Sequence, residues 1–143
     1  RDRDVTGVQT CALPISLKEF AEMIGAAIEG IQITGERSFG RGAVVGDKTV
    51  IDALVPSRDS LANSADKKVP FVKAIRLAAE AARQGAENTK NIIARMGRAG
   101  AVGERSLGYP DVGAYGVGVI FNDIAESFNG SFANDNNKQF PRI

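Results

Sequence analysis

The sequence predicts an all-α fold of about four amphipathic helices. Apolar residues recur at three- and four-residue steps through residues 17–31, which is the pattern of a helix with one buried stripe. A longer seam of the same kind runs through residues 71–96, and two further helices are expected to start at Asp47 and Asp111. The chain is therefore predicted to form a set of helices that pack side by side.

Several residues set the expected ends and contacts of these helices. Gly30 and the polar residues 34–38 are expected to end the first helix, and Pro56 to bend or break the second, because proline lacks a backbone donor and clashes with the preceding turn. The third helix carries small residues at the middle of its seam, so a neighbouring backbone is expected to approach closely there; they are Ala78, Ala82 and Gly85. The fourth helix is expected to direct five apolar residues inward: Val117, Ile120, Phe121, Ile124 and Phe128.

Composition limits the classes of function. With 143 residues the chain suits one domain, and its 18 basic and 17 acidic residues leave no field that would attract nucleic acid or an anionic membrane surface. No apolar run reaches the ~20 residues that a membrane-spanning helix needs, so a cytoplasmic protein is expected. The absence of histidine excludes a histidine general base in this chain.

The first residues look foreign to the rest. Residues 5–16, VTGVQTCALPIS, resemble the conceptual translation of a sequencing-library adapter, so residues 1–16 are expected to be non-native and residues 17–128 to form the domain. A weak apolar strand or a clipped signal peptide fits this segment less well. Cys11, the sole cysteine, falls inside it, which excludes disulfides and thiolate chemistry from the remainder. Residues 129–143 are polar and are expected to form a frayed tail.

Two glycine-bearing stretches, residues 40–46 and 97–114, lead into the predicted helix starts at Asp47 and Asp111. Helix N-termini present free backbone N–H groups to anions, and four basic residues lie beside these two: Arg41, Lys48, Arg98 and Arg105. By itself this is a weak phosphate-site signal, since the spacing is not that of a known phosphate-binding loop. A mobile connector is the alternative for the second loop.

The two loops also carry a resemblance. GDKTVIDALVP, at residues 46–56, and ARMGRAGAVGERSLGYPDVGA, at residues 94–114, resemble the two most recognisable segments of the nucleotide-binding L domain of dihydroxyacetone kinases. The resemblance implies the second half of an eight-helix antiparallel barrel, with ATP or ADP and magnesium at one end. The acidic triplet that binds magnesium in this family would precede Leu17, so no catalytic residue and no metal ligand is expected here, and the magnesium ligands are expected in a missing N-terminal half.

The resemblance further implies a set of nucleotide-contacting positions: Gly42, Thr49, Val50, Arg98, Asp111, Val112 and Gly113. Arg98 is expected to act as a fixed donor fork, and Asp111 as helix cap and acceptor. Val50 stands where the family commonly has methionine and keeps an apolar wall for the base. Arg41 stands where the family has glycine and is expected to crowd the site.

The implied function is phosphoryl transfer to a small hydroxyketone. The donor would be ATP, or ADP recharged by a phosphocarrier protein, and the hydroxyketone would be bound by a K subunit or domain. The fragment alone is expected to be inactive. Two alternatives remain. The first is a non-catalytic helical module that uses a nucleotide to stabilise a partner-binding surface. The second is a helical packing unit whose loops bind nothing. The phosphoryl donor, the particular hydroxyketone and the oligomeric state stay open.

Overall fold

A computed structural model describes residues 15–128, in which every regular element is helical. Four long helices carry the fold, and a one-turn helix with two short 3-10 segments lies between the last two of them. The helices are α1 (Leu17–Phe39), α2 (Ile51–Asp66), α3 (Phe71–Asn88), α4 (Gly97–Gly100) and α5 (Val112–Ser127), and the 3-10 segments are Thr89–Asn91 and Gly103–Ser106. The all-α prediction is confirmed.

The long helices pack as a row in the order α1, α2, α3, α5, and α2 also contacts α5. Only residues 67–70 connect α2 to α3, which makes these two helices antiparallel neighbours. The start of α2 and the end of α3 therefore lie at the same end of the row. The core between them is built from aliphatic side chains and many alanines, with Ile51, Leu61 and Ile75 fully buried.

Helix α1 begins with a capping box and ends at a glycine. The Ser16 hydroxyl accepts a hydrogen bond from the Glu19 amide, and the Glu19 carboxylate accepts one from the Ser16 amide at 2.8 Å. The predicted end at Gly30 is wrong. Gly30 faces open space and interrupts no contact, so the helix continues to Phe39 and stops at Gly40, whose φ of 77° favours glycine.

Helix α2 starts later than predicted, at Ile51 rather than Asp47, because a turn occupies residues 47–50. The spacing of Val50, Leu54, Ser57 and Leu61 in the sequence predicts that they share one face of this helix, and all four are buried or partly buried. The helix also runs unbroken through Pro56.

Helix α3 shows the predicted close packing. Its small residues Ala78, Ala82 and Gly85 are all buried against neighbouring helices. The helix ends at Asn88, however, and not at Met96 as the apolar seam indicated. The buried Thr89 side chain donates a hydrogen bond to the Ala86 carbonyl, and the chain then becomes extended at Ile92. Met96 is buried nevertheless, so the apolar pattern correctly predicts that this side chain is buried, although its backbone is not helical.

Helix α5 starts where the sequence predicts, with Asp111 as its N-cap. Phe121 is buried, and Val117 and Ile124 pack against the core. Two of the five predicted inward residues are exposed instead: Ile120 to 58% and Phe128 to 49%, although the Phe128 ring makes an edge-to-face contact with Phe71. The structure contains no further helix beside α5 to cover Ile120 within residues 15–128.

The helix pairing brings the two long connections, residues 40–50 and 89–111, to one end of the row. The Arg95 amide donates to the Asp47 carbonyl at 3.1 Å, which ties the two connections together. Cys11 and residues 129–143 lie outside the described residues. Within residues 15–128, none of the helices combines the length and the apolar character that a membrane crossing requires.

Candidate functional site

A cavity of about 630 Å³ opens where these two connections meet. Its walls come from the turn before α2, the 92–110 segment and the first turn of α5. The lining residues are Lys48, Thr49, Val50, Met96, Gly97, Arg98, Ala99, Val102, Arg105, Ser106, Tyr109, Pro110, Asp111, Val112 and Gly113. The volume lies in the range of small-molecule and cofactor sites.

Six of the seven positions proposed from the sequence line this cavity: Thr49, Val50, Arg98, Asp111, Val112 and Gly113. Gly42 does not. It packs against α1, where a Cβ on Gly42 would lie 3.1 Å from the Gln32 Cβ and 3.3 Å from the Gln32 carbonyl oxygen. Its glycine is therefore explained by the close approach of the loop to α1, because any side chain there would collide with that helix.

Arg41 was expected to crowd the site, but it lies elsewhere. Its guanidinium makes a bidentate ion pair with Asp47, with N···O distances of 2.5 and 2.7 Å. The Asp47 carboxylate is buried and also accepts the Val44 amide at 2.9 Å. The Arg41 hydrogen bonds hold the pKa of Asp47 below its ordinary value against the opposing effect of burial. Arg41 thus closes the 41–47 loop and does not line the cavity.

The carboxylate of Asp52 shapes the GDKT turn. It accepts the Gly46 amide at 2.6 Å and the Thr49 amide at 2.8 Å, so one buried side chain clasps both ends of the turn. Lys48, between them, has a φ of 64°, which non-glycine residues rarely adopt. This turn delivers Thr49 and Val50 to the cavity wall.

From the sequence, Lys48 counts only among the four basic residues beside the predicted helix starts, and its burial is not predicted. It is only 2% exposed, and its ammonium donates hydrogen bonds to the carbonyls of Ile92, at 3.1 Å, and Ser106. Burial lowers the pKa of Lys48, while the charge of Asp111 opposes that shift. The only sequence signal was its place in GDKT, since nothing in the sequence shows that a lysine will be buried.

A buried hydroxyl places the start of α5. The Asp111 amide donates to the Thr89 Oγ1 at 2.8 Å, and the Asp111 carboxylate accepts the Ala114 amide at 2.8 Å. The amides of Val112 and Gly113 belong to the first helical turn, whose N–H groups have no partner within a helix. A Cβ on Gly113 would lie 3.1 Å from the Asp111 carboxylate and 3.4 Å from the Val50 Cβ. A side chain at position 113 would therefore crowd the Asp111 cap and Val50, where the α5 N-terminus meets the cavity.

The cavity combines positive charge with an apolar wall. Three cationic side chains line it, Lys48, Arg98 and Arg105, against one carboxylate, Asp111, in the described part of the chain, which leaves an excess of two positive charges (three minus one). Val50, Met96 and Val102 supply apolar surface. Such a site suits a ligand with an anionic end and a flat apolar end.

The metal-binding capacity of this site is small. Nowhere in residues 15–128 do three or more histidine, cysteine, aspartate or glutamate side chains group closely enough to hold a metal ion. Asp111 already accepts a hydrogen bond from the backbone of α5. Among the described residues that line the cavity, Asp111 is the one carboxylate, and one of its oxygens caps α5.

Comparison with known proteins identifies relatives. Residues 5–126 match the model of the DAK2 domain family. The chain is 45% identical over 85 residues to L-erythrulose 1-kinase of Mycolicibacterium smegmatis, covering 59% of this chain and 14% of that protein. It is 34% identical over 111 residues to the ADP-binding subunit DhaL of the PEP-dependent dihydroxyacetone kinase of Escherichia coli, covering 78% of this chain and 50% of that protein. The dihydroxyacetone kinase of Komagataella pastoris is 37% identical over 93 residues, which is 60% of this chain and 14% of that protein.

The chain thus spans between about a seventh and a half of the length of these curated relatives. The family match starts at residue 5, ahead of the Leu17 boundary expected from the sequence, and Ser16, assigned to the foreign segment, caps α1. The adapter origin of residues 5–16 stays a prediction. The resemblance to the kinase L domain is confirmed by the family match and by the ADP-binding relatives. The chain belongs to the DAK2 domain family.

Proposed function

We propose that this chain is the nucleotide-binding part of a dihydroxyacetone kinase-type phosphotransferase, and that ATP or ADP binds in the cavity beside α5. One observation carries the proposal: the cavity gathers six of the seven positions that the resemblance implies, from three separate stretches of sequence. Two relatives, from Escherichia coli and Listeria innocua, are named as ADP-binding subunits of PEP-dependent dihydroxyacetone kinases. The charge and the apolar wall of the cavity suit such a ligand.

Each part of the cavity has a task in this proposal. Arg98 supplies a planar fork of N–H donors for phosphate oxygens, and the first-turn amides of α5 supply backbone donors with the positive end of a helix dipole. Val50 and Met96 form apolar surface for the base. Asp111 fixes the α5 N-terminus through its cap and presents its remaining oxygen as an acceptor. The buried Thr89 hydroxyl and the Asp111 cap hold the α5 N-terminus in place before a nucleotide arrives.

Magnesium ligands are proposed to come from residues outside the described part of the chain. The cavity offers Asp111 alone as a carboxylate, so no step through a metal is assigned to these residues. Phosphoryl transfer relies mainly on positioning and on neutralisation of the phosphate charge. The described residues contribute to both through their fixed cations and amides.

The acceptor is proposed to be a small hydroxyketone held by a K subunit or domain. When ATP is the donor, the bond between its terminal phosphoryl group and the bridging oxygen would break as a bond to the substrate hydroxyl oxygen forms. ADP would leave with the bridging oxygen, and the hydroxyl proton would be released to solvent. A phosphocarrier protein that recharges bound ADP is the second possible donor. The cytoplasmic location inferred from composition stays a prediction.

Calorimetry with the 143-residue chain tests the proposal. ADP is expected to bind weakly and with little dependence on magnesium, because the phosphate and base contacts are present and a carboxylate cluster is not. Adenosine, which lacks the phosphates, is expected to bind less tightly than ADP. Equal affinity for the two ligands, or no binding of ADP at millimolar concentration, would contradict a nucleotide site here, and tight magnesium-dependent binding would contradict the assignment of the metal ligands to other residues.

A further inference from the structure

Lys48 links the two connections that form the cavity. It sits in the turn before α2, yet its two hydrogen-bond acceptors, the carbonyls of Ile92 and Ser106, belong to the segment that follows α3. Arg98 and Arg105 both lie in the stretch between these two carbonyls, residues 92–106. One side chain therefore fixes both ends of the stretch that bears the two cavity arginines.

The surroundings of Lys48 show that this arrangement is specific. No carboxylate lies within ion-pair distance of its ammonium in residues 15–128, so two carbonyl dipoles solvate a buried cation. An ordinary lysine keeps its ammonium in water, because burial of an unpaired charge is costly. Its left-handed backbone adds strain. A buried, strained cation at a cavity wall marks a group that the site requires and not a surface residue.

Apart from the hydrogen bonds of Lys48, few contacts hold the segment from Ile92 to Ser106. Exposed side chains dominate residues 97–110, and its helical pieces are the single turn α4 and the 3-10 segment Gly103–Ser106. The Ser106 hydroxyl accepts the Ala94 amide at 2.9 Å, and the Gly108 amide donates to the Lys90 carbonyl at 2.8 Å. Neither of these two contacts joins the segment to the turn before α2. The Arg95 amide does so near the Ile92 end, where it donates to the Asp47 carbonyl at 3.1 Å. In the described chain, the hydrogen bond from Lys48 provides the connection at the Ser106 end.

We propose that Lys48 is a positioning residue of the nucleotide site: its buried ammonium holds the segment from Ile92 to Ser106 against the GDKT turn, and so fixes Arg98 and Arg105 for the phosphates. The proposal rests on the proposed function for its ligand. The positioning itself depends only on the contacts of this chain. Lys48 acts through the arginines and needs no contact with the ligand.

The test compares Lys48→Met with Lys68→Met. Lys68 is a matched control, since it also has a left-handed backbone, with a φ of 52°, but is exposed at the opposite end of α2. The Lys48 variant is expected to bind ADP about tenfold more weakly than wild type, because Arg98 and Arg105 are no longer held in place for the phosphates, whereas the Lys68 variant is expected to bind as wild type. Circular dichroism and cooperative melting establish that each variant is folded.

A second measurement reports on the segment without any ligand. Brief trypsin treatment is expected to cleave after Arg98 and Arg105 several times faster in Lys48→Met than in wild type, while cleavage after Lys67, in the α2–α3 connection, keeps its wild-type rate. A general loss of stability would accelerate all three sites together. Lys48→Gln, which retains an N–H donor at this position, replaces Lys48→Met where the latter does not fold, and the same selective changes are expected.

The outcomes separate the two proposals. If wild type does not bind ADP but Lys48→Met shows the selective cleavage, the proposed function fails and the positioning role stands. If wild type binds ADP and a folded Lys48 variant binds it equally well with unchanged cleavage, Lys48 is not a positioning residue. Uniformly faster cleavage at all three sites would also overturn the proposal, because it would assign Lys48 to global stability alone.

Discussion

The carbonyl oxygen of Asp52 faces Gly85 so closely that a Cβ on Gly85 would lie 2.1 Å from it. Pro56 stands four residues after Asp52 and has no N–H to donate to that carbonyl, and a proline ring displaces the carbonyl at this spacing. Helices α2 and α3 therefore meet backbone to backbone at this point. The contact accounts for two features together: α2 accepts an internal proline, and α3 requires a glycine opposite it.

Gly85→Ala is expected to destabilise the protein by more than about 3 kcal/mol, because the added methyl group collides with backbone that cannot move aside as a side chain can. Gly30→Ala is the matched control: Gly30 is an exposed helical glycine with nothing within 4 Å of a Cβ. The control is expected to gain about 1 kcal/mol from helix propensity. Urea unfolding of both variants measures the difference, and similar effects of the two changes would contradict the close contact.

Thr89→Val is expected to cost about 1 to 3 kcal/mol of folding free energy, since the Asp111 amide loses its buried acceptor while the shape of the side chain is kept. Thr34→Val is the control, because the exposed Thr34 hydroxyl bonds only to the Gly30 carbonyl of its own helix. The control is expected to stay within ~0.5 kcal/mol of wild type. Thermal or urea unfolding decides, and an unchanged stability of Thr89→Val would show that the start of α5 does not depend on this hydroxyl.

Asp47 is expected to make stability depend on acid pH. Arg41 lowers the pKa of Asp47 in the folded protein, so the unfolded chain binds more protons between the folded pKa and the ordinary value of about 3.9. This contribution is fully present above the ordinary value and is lost as the pH falls through the lowered folded pKa. Asp47→Asn is expected to be less stable than wild type at neutral pH and to lose less stability on acidification.

Urea midpoints measured from pH 7 to pH 2 test this expectation. Glu80→Gln is the control, since Glu80 forms a comparable arginine pair that is fully exposed on α3. Solvent screens such a pair, so the control curve is expected to follow wild type closely. Parallel curves for wild type and Asp47→Asn would mean that the Arg41 contact adds nothing to folding.

Arg98→Ala is expected to weaken ADP binding by about 1.5 to 3 kcal/mol, the usual loss for a hydrogen bond to a charged group. Arg83→Ala removes the same charge from the outer side of α3, where Arg83 pairs with Glu80, and is expected to change the affinity by no more than ~0.5 kcal/mol. Calorimetry with ADP compares the two. Equal losses would remove Arg98 from the site.

The periodicity of the apolar residues gave the helical class and the packing faces without a structure. Helical periodicity depends only on which residues seek burial, so Leu54, Leu61 and Phe121 were placed correctly. Helix ends were less predictable. The seam through Met96 looked helical because Thr89 and Met96 are both buried at a helical spacing, although the helix has already ended at Asn88. Gly30 looked like a helix end because the sequence does not show that this glycine is exposed within a longer helix.

For the cavity, too, the sequence indicated some residues, and the tertiary structure decided the contacts of others. The two loop motifs and their resemblance to the kinase L domain indicated the two connections and supplied Arg98, Asp111 and Gly113 as expected site positions. Without the resemblance, basic residues beside a helix N-terminus are a weak signal of an anion site. Only the tertiary structure decided that Lys48 is buried against carbonyls 44 and 58 residues away in sequence, and that Arg41 turns to Asp47 instead of the cavity. The physical reason is that burial and long-range hydrogen bonds arise from how helices pack, and local sequence fixes the helices but not the contacts between their ends.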